Sequence, residues 1–191
     1  REATAEILVL EENADAVREY AASVQGAWRE EYAGTDEGIT VTVEDEGKQE
    51  VRVLHPTSKE KVIFFLVNVP YGVQKMSGTI DGLVETSSNI GILRLDEDEL
   101  FASSSVRSSV ETARDSLSDK IAYLTEFLGG EYERQGVYPA WEYRKDSPLR
   151  DKMVEVYEEM YGQKPNVVAI HAGLECGLFY KKMEGLDCVS L

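Results

Sequence analysis

A chain of 191 residues with 42% hydrophobic content can bury an ordinary core without a disulfide or metal staple. Its formal net charge of −16 repels phosphate backbones and anionic headgroups, which argues against nucleic acid or a membrane surface and leaves small molecules or proteins as partners. The longest apolar run, Val62 to Val67, falls well short of the roughly 20 residues that span a bilayer, and no secretory pattern opens the chain.

Ala3 to Leu10 alternates into Ile7-Leu8-Val9-Leu10 and predicts a strand, followed by Asn13 as a helix N-cap. Val17, Tyr20, Ala21, Val24 and Trp28 recur at helical spacing and predict a long amphipathic helix that ends by Gly34. Ile39 to Val43 and Val51 to Leu54 have period two and predict a hairpin or an interrupted edge strand. Lys59 to about Asn68 predicts an apolar core helix stopped by Pro70 and Gly72, and a loop follows through Met76-Ser77-Gly78 and Asp81-Gly82. Leu83 to Leu95 and Leu100 to Val106 flank an acidic turn and predict a second hairpin.

A helix then starts at Ser108 or Ser109, with Val110, Ala113, Leu117, Ile121, Leu124 and Leu128 along one side and Gly129-Gly130 at its end. A short strand is expected over Tyr132 to Tyr138. Ser147-Pro148 supplies an N-cap with proline at the first helical position, and this helix ends at Gly162 and Pro165. Val167 to His171 predicts a strand, a glycine-rich turn follows, and the apolar run Cys188-Val189-Ser190-Leu191 reads as the start of another strand. Since the chain also opens on Arg1-Glu2 rather than Met, part of a longer protein is expected. The order of elements predicts an α+β fold of two layers, a duplicated split βαβ arrangement with helices on one face of each sheet.

Few residues suit a metal centre. His55 and His171 are far apart, and neither His171 with Cys176 nor Cys176 with Cys188 has a structural zinc spacing. The two cysteines are read as reduced, in a cytoplasmic setting, because a bridge between them would close only a short loop. The run Asp96 to Glu99 lacks the alternating ligands of a calcium loop and reads as a hairpin turn. There is no glycine-rich nucleotide loop and no serine elbow.

Two stretches remain. Glu85-Thr86-Ser87-Ser88-Asn89 places small polar groups inside a hydrophobic strand opposite Ser103 to Arg107. Its hydroxyls and carboxamide can bond an amide, and Arg107 can grip a carboxylate at two points. A plain exposed, serine-rich strand face is the alternative. His171-Ala172-Gly173-Leu174-Glu175-Cys176-Gly177 sets His, Glu and Cys between glycines at a strand end, where a carboxylate can capture an amino group. The alternative there is a solvated strand connection.

These stretches resemble the aminoacyl-histidine dipeptidases, also called Xaa-His dipeptidase, peptidase D or carnosinase-like, zinc enzymes of the M20 metallopeptidase family. Met76-Ser77-Gly78 with Gly82-Leu83-Val84-Glu85-Thr86-Ser87-Ser88-Asn89-Ile90-Gly91 is similar to the subfamily's lid hairpin. Val106-Arg107-Ser108-Ser109 is similar to its second strand and helix start, and Ala169 to Phe179 to its most specific stretch. The resemblance implies a cytosolic hydrolase in which a lid of two ferredoxin-like halves interrupts a catalytic domain holding two zinc ions. Residues 1–57 would be the remainder of an incomplete first lid half, 58–168 the connecting helix and second half, and 169–191 the return into the catalytic domain.

By that resemblance Asn89, Arg107, His171 and Glu175 contact a dipeptide substrate, while no catalytic residue and no metal ligand falls in this chain, which is expected to be inactive alone. Two other readings compete. One is a non-catalytic ferredoxin-like module for ligand sensing or for homodimer formation through a sheet edge. The other is a self-contained hydrolase using His171, Glu175 and Cys176, although nothing in the sequence marks Cys176 as an activated thiolate.

Overall fold

The computed structural model describes residues 2–169, 174–183 and 185–190. The chain divides into two compact units, Arg1–His55 and Pro56–Leu191. It is α+β, as the patterning predicts, with a three-stranded antiparallel sheet and five α-helices among the described residues.

In the first unit a short 3-10 turn, Glu11–Asn13, leads into α1 (Ala14–Glu31). Asn13 has helical φ and ψ of −99° and −3° and makes no side-chain cap, because the 3-10 turn already carries it into the helix. The expected strands at 3–10, 39–43 and 51–54 are not formed among the described residues. A strand is stable only with a ladder partner, and the segment after α1 finds the helix instead. Gln25 accepts the Val41 N–H at 2.8 Å, and Arg29 Nε donates to the Ile39 carbonyl at 2.8 Å. These bonds hold Ile39 and Val41 half-buried. The apolar stripe of α1 is less covered than predicted, with Tyr20 and Trp28 exposed.

The second unit opens with α2 (Pro56–Asn68) and continues into three strands, β1 (Gly72–Met76), β2 (Val84–Leu95) and β3 (Leu100–Ser108). The sequence reading missed β1, which is only five residues long and bears Gln74 and Lys75. Polar side chains suit an exposed edge strand but hide its periodicity. β2 is central, with Gly72 opposite Ser88 on one side and Val106 opposite Ser88 on the other. The β2–β3 hairpin appears where predicted, closed by Asp96, whose side chain accepts the N–H groups of Asp98 and Glu99.

Next come α3 (Glu111–Phe127) and α4 (Pro148–Tyr161). The core consists of Phe65, Val69, Leu117 and Ile121, with α3 packed along β3. Burial of each such side chain contributes about 1.5–3 kcal/mol. α4 carries the predicted caps, since Ser147 accepts the Arg150 N–H and Gly162 ends the helix in the left-handed conformation at φ 71°. The strand expected over 132–138 is absent. That segment is held from its side by arginines, with Arg114 donating to the Tyr138 carbonyl at 2.6 Å and Arg134 bonding Asp115 and Asp119 of α3.

The strand-turn-strand reading at the end of the chain is also corrected. Glu175–Lys182 is a helix, α5, after Leu174 in extended conformation. Glu175 and Lys181-Lys182 place acid at its first turn and base at its last, which favours helix through the macrodipole. The following residues 186–190 are extended but not in a ladder, and His171 lies outside the described residues.

Candidate functional site

Antiparallel pairing puts opposed residues on the same face of a sheet. Ser87 is opposite Arg107 and Asn89 is opposite Ser105, so Asn89 and Arg107 are diagonal neighbours on one face. Both are exposed, and β3 alternates regularly, with Phe101, Ser103, Ser105 and Arg107 on this open side. Among the described residues neither Asn89 nor Arg107 has a side-chain hydrogen bond or ion pair. The guanidinium and carboxamide therefore present unspent donors to a carboxylate or peptide amide.

The other face is covered. Thr86 and Ser88 are buried at 3% and 1% exposure, and Thr86 shares a hydrogen bond of 2.9 Å with Ser108. Ser88 Oγ is buried without a hydrogen-bond partner. Within the polar run of β2 the alternation thus separates the roles, with Ser88 turned inward and Asn89 outward. Nearby, Glu85 is buried and paired with Lys75 at 2.8 Å. A bulge between Ile90 and Ile92 shifts the register, after which Arg94 lies over the Phe101 ring at 5.3 Å.

A cleft of about 2450 Å³ in this unit runs along both sides of β3, lined by Ser103, Ser105 and Arg107 as well as Ser104, Val106 and Ser108, and reaches Arg114 of α3. Neither Asn89 nor Glu175 lines it. Glu175 is exposed at the first position of α5, and no hydrogen bond or ion pair joins it to Asn89 or Arg107 among the described residues. The sheet thus brings two of the four expected site residues together.

The sequence reading did not single out the residues that seat α5 and the segment after it. Lys181 of α5 pairs at 3.1 Å with Glu111, which also holds Arg114 at 3.2 Å. The Lys181 hydrogen bond first, then that of Arg114, holds the Glu111 carboxyl below its ordinary range. Gly177 is buried, and a Cβ there would lie 2.9 Å from the Pro139 carbonyl, so α5 approaches that backbone as closely as only glycine allows. Asp187 accepts the Ser147 hydroxyl at 2.8 Å and the Leu149 N–H at 3.0 Å. No sequence period links groups 40 or 70 positions apart, so only a helix end with spare N–H groups near Ser147 hinted at such a partner.

No family model matches the chain. Over its full length it is 28% identical to the cytosol non-specific dipeptidase of Escherichia coli (strain K12), and it spans 39% of that protein. Its structure matches that of the aminoacylhistidine dipeptidase from Vibrio alginolyticus with a TM-score of 0.81 and 32% identity, over 89% of this chain and 34% of that one. The chain is a homologue of these dipeptidases.

Among the described residues of this dipeptidase homologue, no three His, Cys, Asp or Glu side chains converge as a metal site would require. Those residues do not fit a zinc centre. No helix among them is long and apolar enough to cross a membrane.

In this dipeptidase homologue Asp187 should also couple stability to acid. The Leu149 N–H, aided by the Ser147 hydroxyl and by Arg144 and Arg150, outweighs desolvation and holds the Asp187 carboxyl below its ordinary 3.8. Because the folded form is the more acidic, its stabilisation is complete above that ordinary value and is lost as pH falls through the lowered one. Urea midpoints measured across the acid range should therefore fall less steeply in Asp187→Asn than in the parent chain. Parallel acid slopes would remove Asp187 from the account.

Proposed function

We propose that this chain is the lid and substrate-binding segment of a longer zinc dipeptidase that hydrolyses aminoacyl-histidine-type dipeptides in the cytoplasm. The observation that carries the reading is the alignment of the entire chain with a dipeptidase of more than twice its length, together with a fold match of TM-score 0.81 to an aminoacylhistidine dipeptidase. The exposed, unpartnered Arg107 and Asn89 support the choice of face.

In this reading the dipeptide lies against the open side of β2 and β3. Arg107 receives the substrate carboxylate with a two-point hydrogen bond, and Asn89 bonds the peptide amide. Glu175, at the start of α5, meets the amino end, and His171, four positions earlier in the sequence, is a further proposed contact. Two zinc ions, bound by parts of the longer protein outside this chain, would supply an activated water and polarise the scissile carbonyl. The lid's own contribution is to orient the peptide and exclude bulk water.

The longer protein should hydrolyse an aminoacyl-histidine dipeptide when loaded with zinc, whereas the 191-residue chain should neither hydrolyse it nor take up stoichiometric zinc. Activity or stoichiometric zinc in the chain alone would overturn the reading, as would an inert longer protein.

A further inference from the structure

Arg114 of α3 links the strand that carries Arg107 to the helix that begins with Glu175. Its side chain is only 11% exposed, and its guanidinium donates in three directions. Nη1 donates to the Tyr138 carbonyl at 2.6 Å, and Nη2 donates to Glu111 at 3.2 Å and to Asp115 at 3.0 Å. Pro139, next to Tyr138, turns its own carbonyl to Gly177 of α5, where a Cβ would lie 2.9 Å from it and 3.5 Å from the Trp141 Cβ. Glu111 also accepts from Lys181 of α5 at 3.1 Å. Two routes from Arg114, one through backbone and one through a carboxylate, thus end on the first and last turns of α5. Since α3 follows β3 in the chain and packs along it, these contacts tie α5 to the strand of Arg107. Glu111 and Lys181 are 48% and 60% exposed, and a pair so open to solvent adds little. The covered guanidinium is the contact on which the link depends, and its rigid planar fork suits it to several fixed acceptors at once.

We infer that Arg114 is a positioning residue that holds α5, and with it Glu175, in place against the strand carrying Arg107, acting through α5 rather than on the dipeptide itself. What Glu175 and Arg107 meet rests on the proposed function. A dipeptide carries its ammonium and carboxylate at a limited span, so two groups on separate elements select that span only if the elements keep their places. β3 is held by its ladder with β2. α5 has only eight residues, too few for a helix to hold itself in water, so its place comes from contacts outside it. Arg114 stands behind both of the contacts traced above, at Gly177 and at Lys181.

Two measurements test this. In the 191-residue chain, hydrogen exchange read by mass spectrometry should show the α5 amides of Arg114→Met exchanging about tenfold faster than in the parent, with the β2–β3 hairpin unchanged. Lys181→Met, which removes only the exposed arm, should have a smaller effect. Arg114→Lys, which keeps the charge without the fork, should lie between Arg114→Met and the parent. In the longer protein, the ratio of kcat/KM for an aminoacyl-histidine dipeptide to that for its analogue lacking the amino group should fall about tenfold in Arg114→Met. The ratio to the dipeptide amide, which reports the Arg107 contact, should be unchanged, whereas a merely structural loss would move both ratios or neither. Unaltered exchange in α5, faster exchange throughout the unit, or equal loss of the two ratios would each overturn the inference. A longer protein that hydrolyses no dipeptide would overturn the proposed function, and faster exchange confined to α5 would still uphold Arg114 as the residue that places that helix.

Discussion

Arg107→Ala in the proposed longer dipeptidase is expected to lower kcat/KM for an aminoacyl-histidine dipeptide by roughly ten- to a hundredfold. A charge-assisted hydrogen bond is worth about 1.5–3 kcal/mol, and the two-point grip of a guanidinium on a carboxylate is lost whole. Lysine restores the charge without the planar fork, so Arg107→Lys should recover only part of the loss. The variant should keep its fold, because Arg107 is exposed and spends no side-chain bond within the described chain. A fall in kcat/KM that disappears for a dipeptide amide, which lacks the carboxylate, would locate the contact. An unchanged kcat/KM would remove Arg107 from the substrate site and with it the assignment of the β2–β3 face.

Leu117→Ala is expected to cost about 3 kcal/mol, within the range for leucine truncation in a packed core. Leu117 is only 4% exposed, belongs to the small buried group with Phe65, Val69 and Ile121, and lies on the helix that packs along β3. Urea unfolding should show a lower midpoint with an unchanged slope. Tyr123→Ala, on the same helix but 73% exposed, should be close to neutral. Equal effects at the two positions would mean that α3 does not pack on the sheet through Leu117.

These expectations rest on different kinds of legibility. The extents of α2, α3 and α4 and the turn between β2 and β3 could be read because their signals are local, although the apolar α2 buries only Phe65 rather than lying in the core as expected. Apolar spacing, Ser147-Pro148 and Gly162 act within a few residues of the backbone they shape. The open face was partly legible for the same reason, since β alternation requires that Ser88 and Asn89 point to opposite sides. Which of them faces solvent could not be read, because both are polar. The folded unit decided it, leaving Ser88 1% exposed and Asn89 open.

The first unit shows the converse. Ile39 to Val43 has a strand's period, yet its backbone is taken by Gln25 and Arg29 of α1, and a two-fold pattern does not carry the identity of its partner. The glycine-framed stretch ending in Glu175-Cys176-Gly177 likewise read as a strand connection. Its charge order favours α5, but what secures the helix lies far away in the chain, at Pro139 against Gly177 and at Glu111, which Lys181 of α5 meets.

By itself the sequence determined the α+β class, most helix boundaries, the hairpin that carries Asn89 and Arg107, and the resemblance to dipeptidases, because periodicity, caps and motifs are short-range properties. Only the tertiary structure decided that Asn89 rather than Ser88 is open to a ligand and that Glu175 begins a helix. Each of these depends on which distant group fills a given space or satisfies a given N–H, and that choice is made by packing across the whole unit.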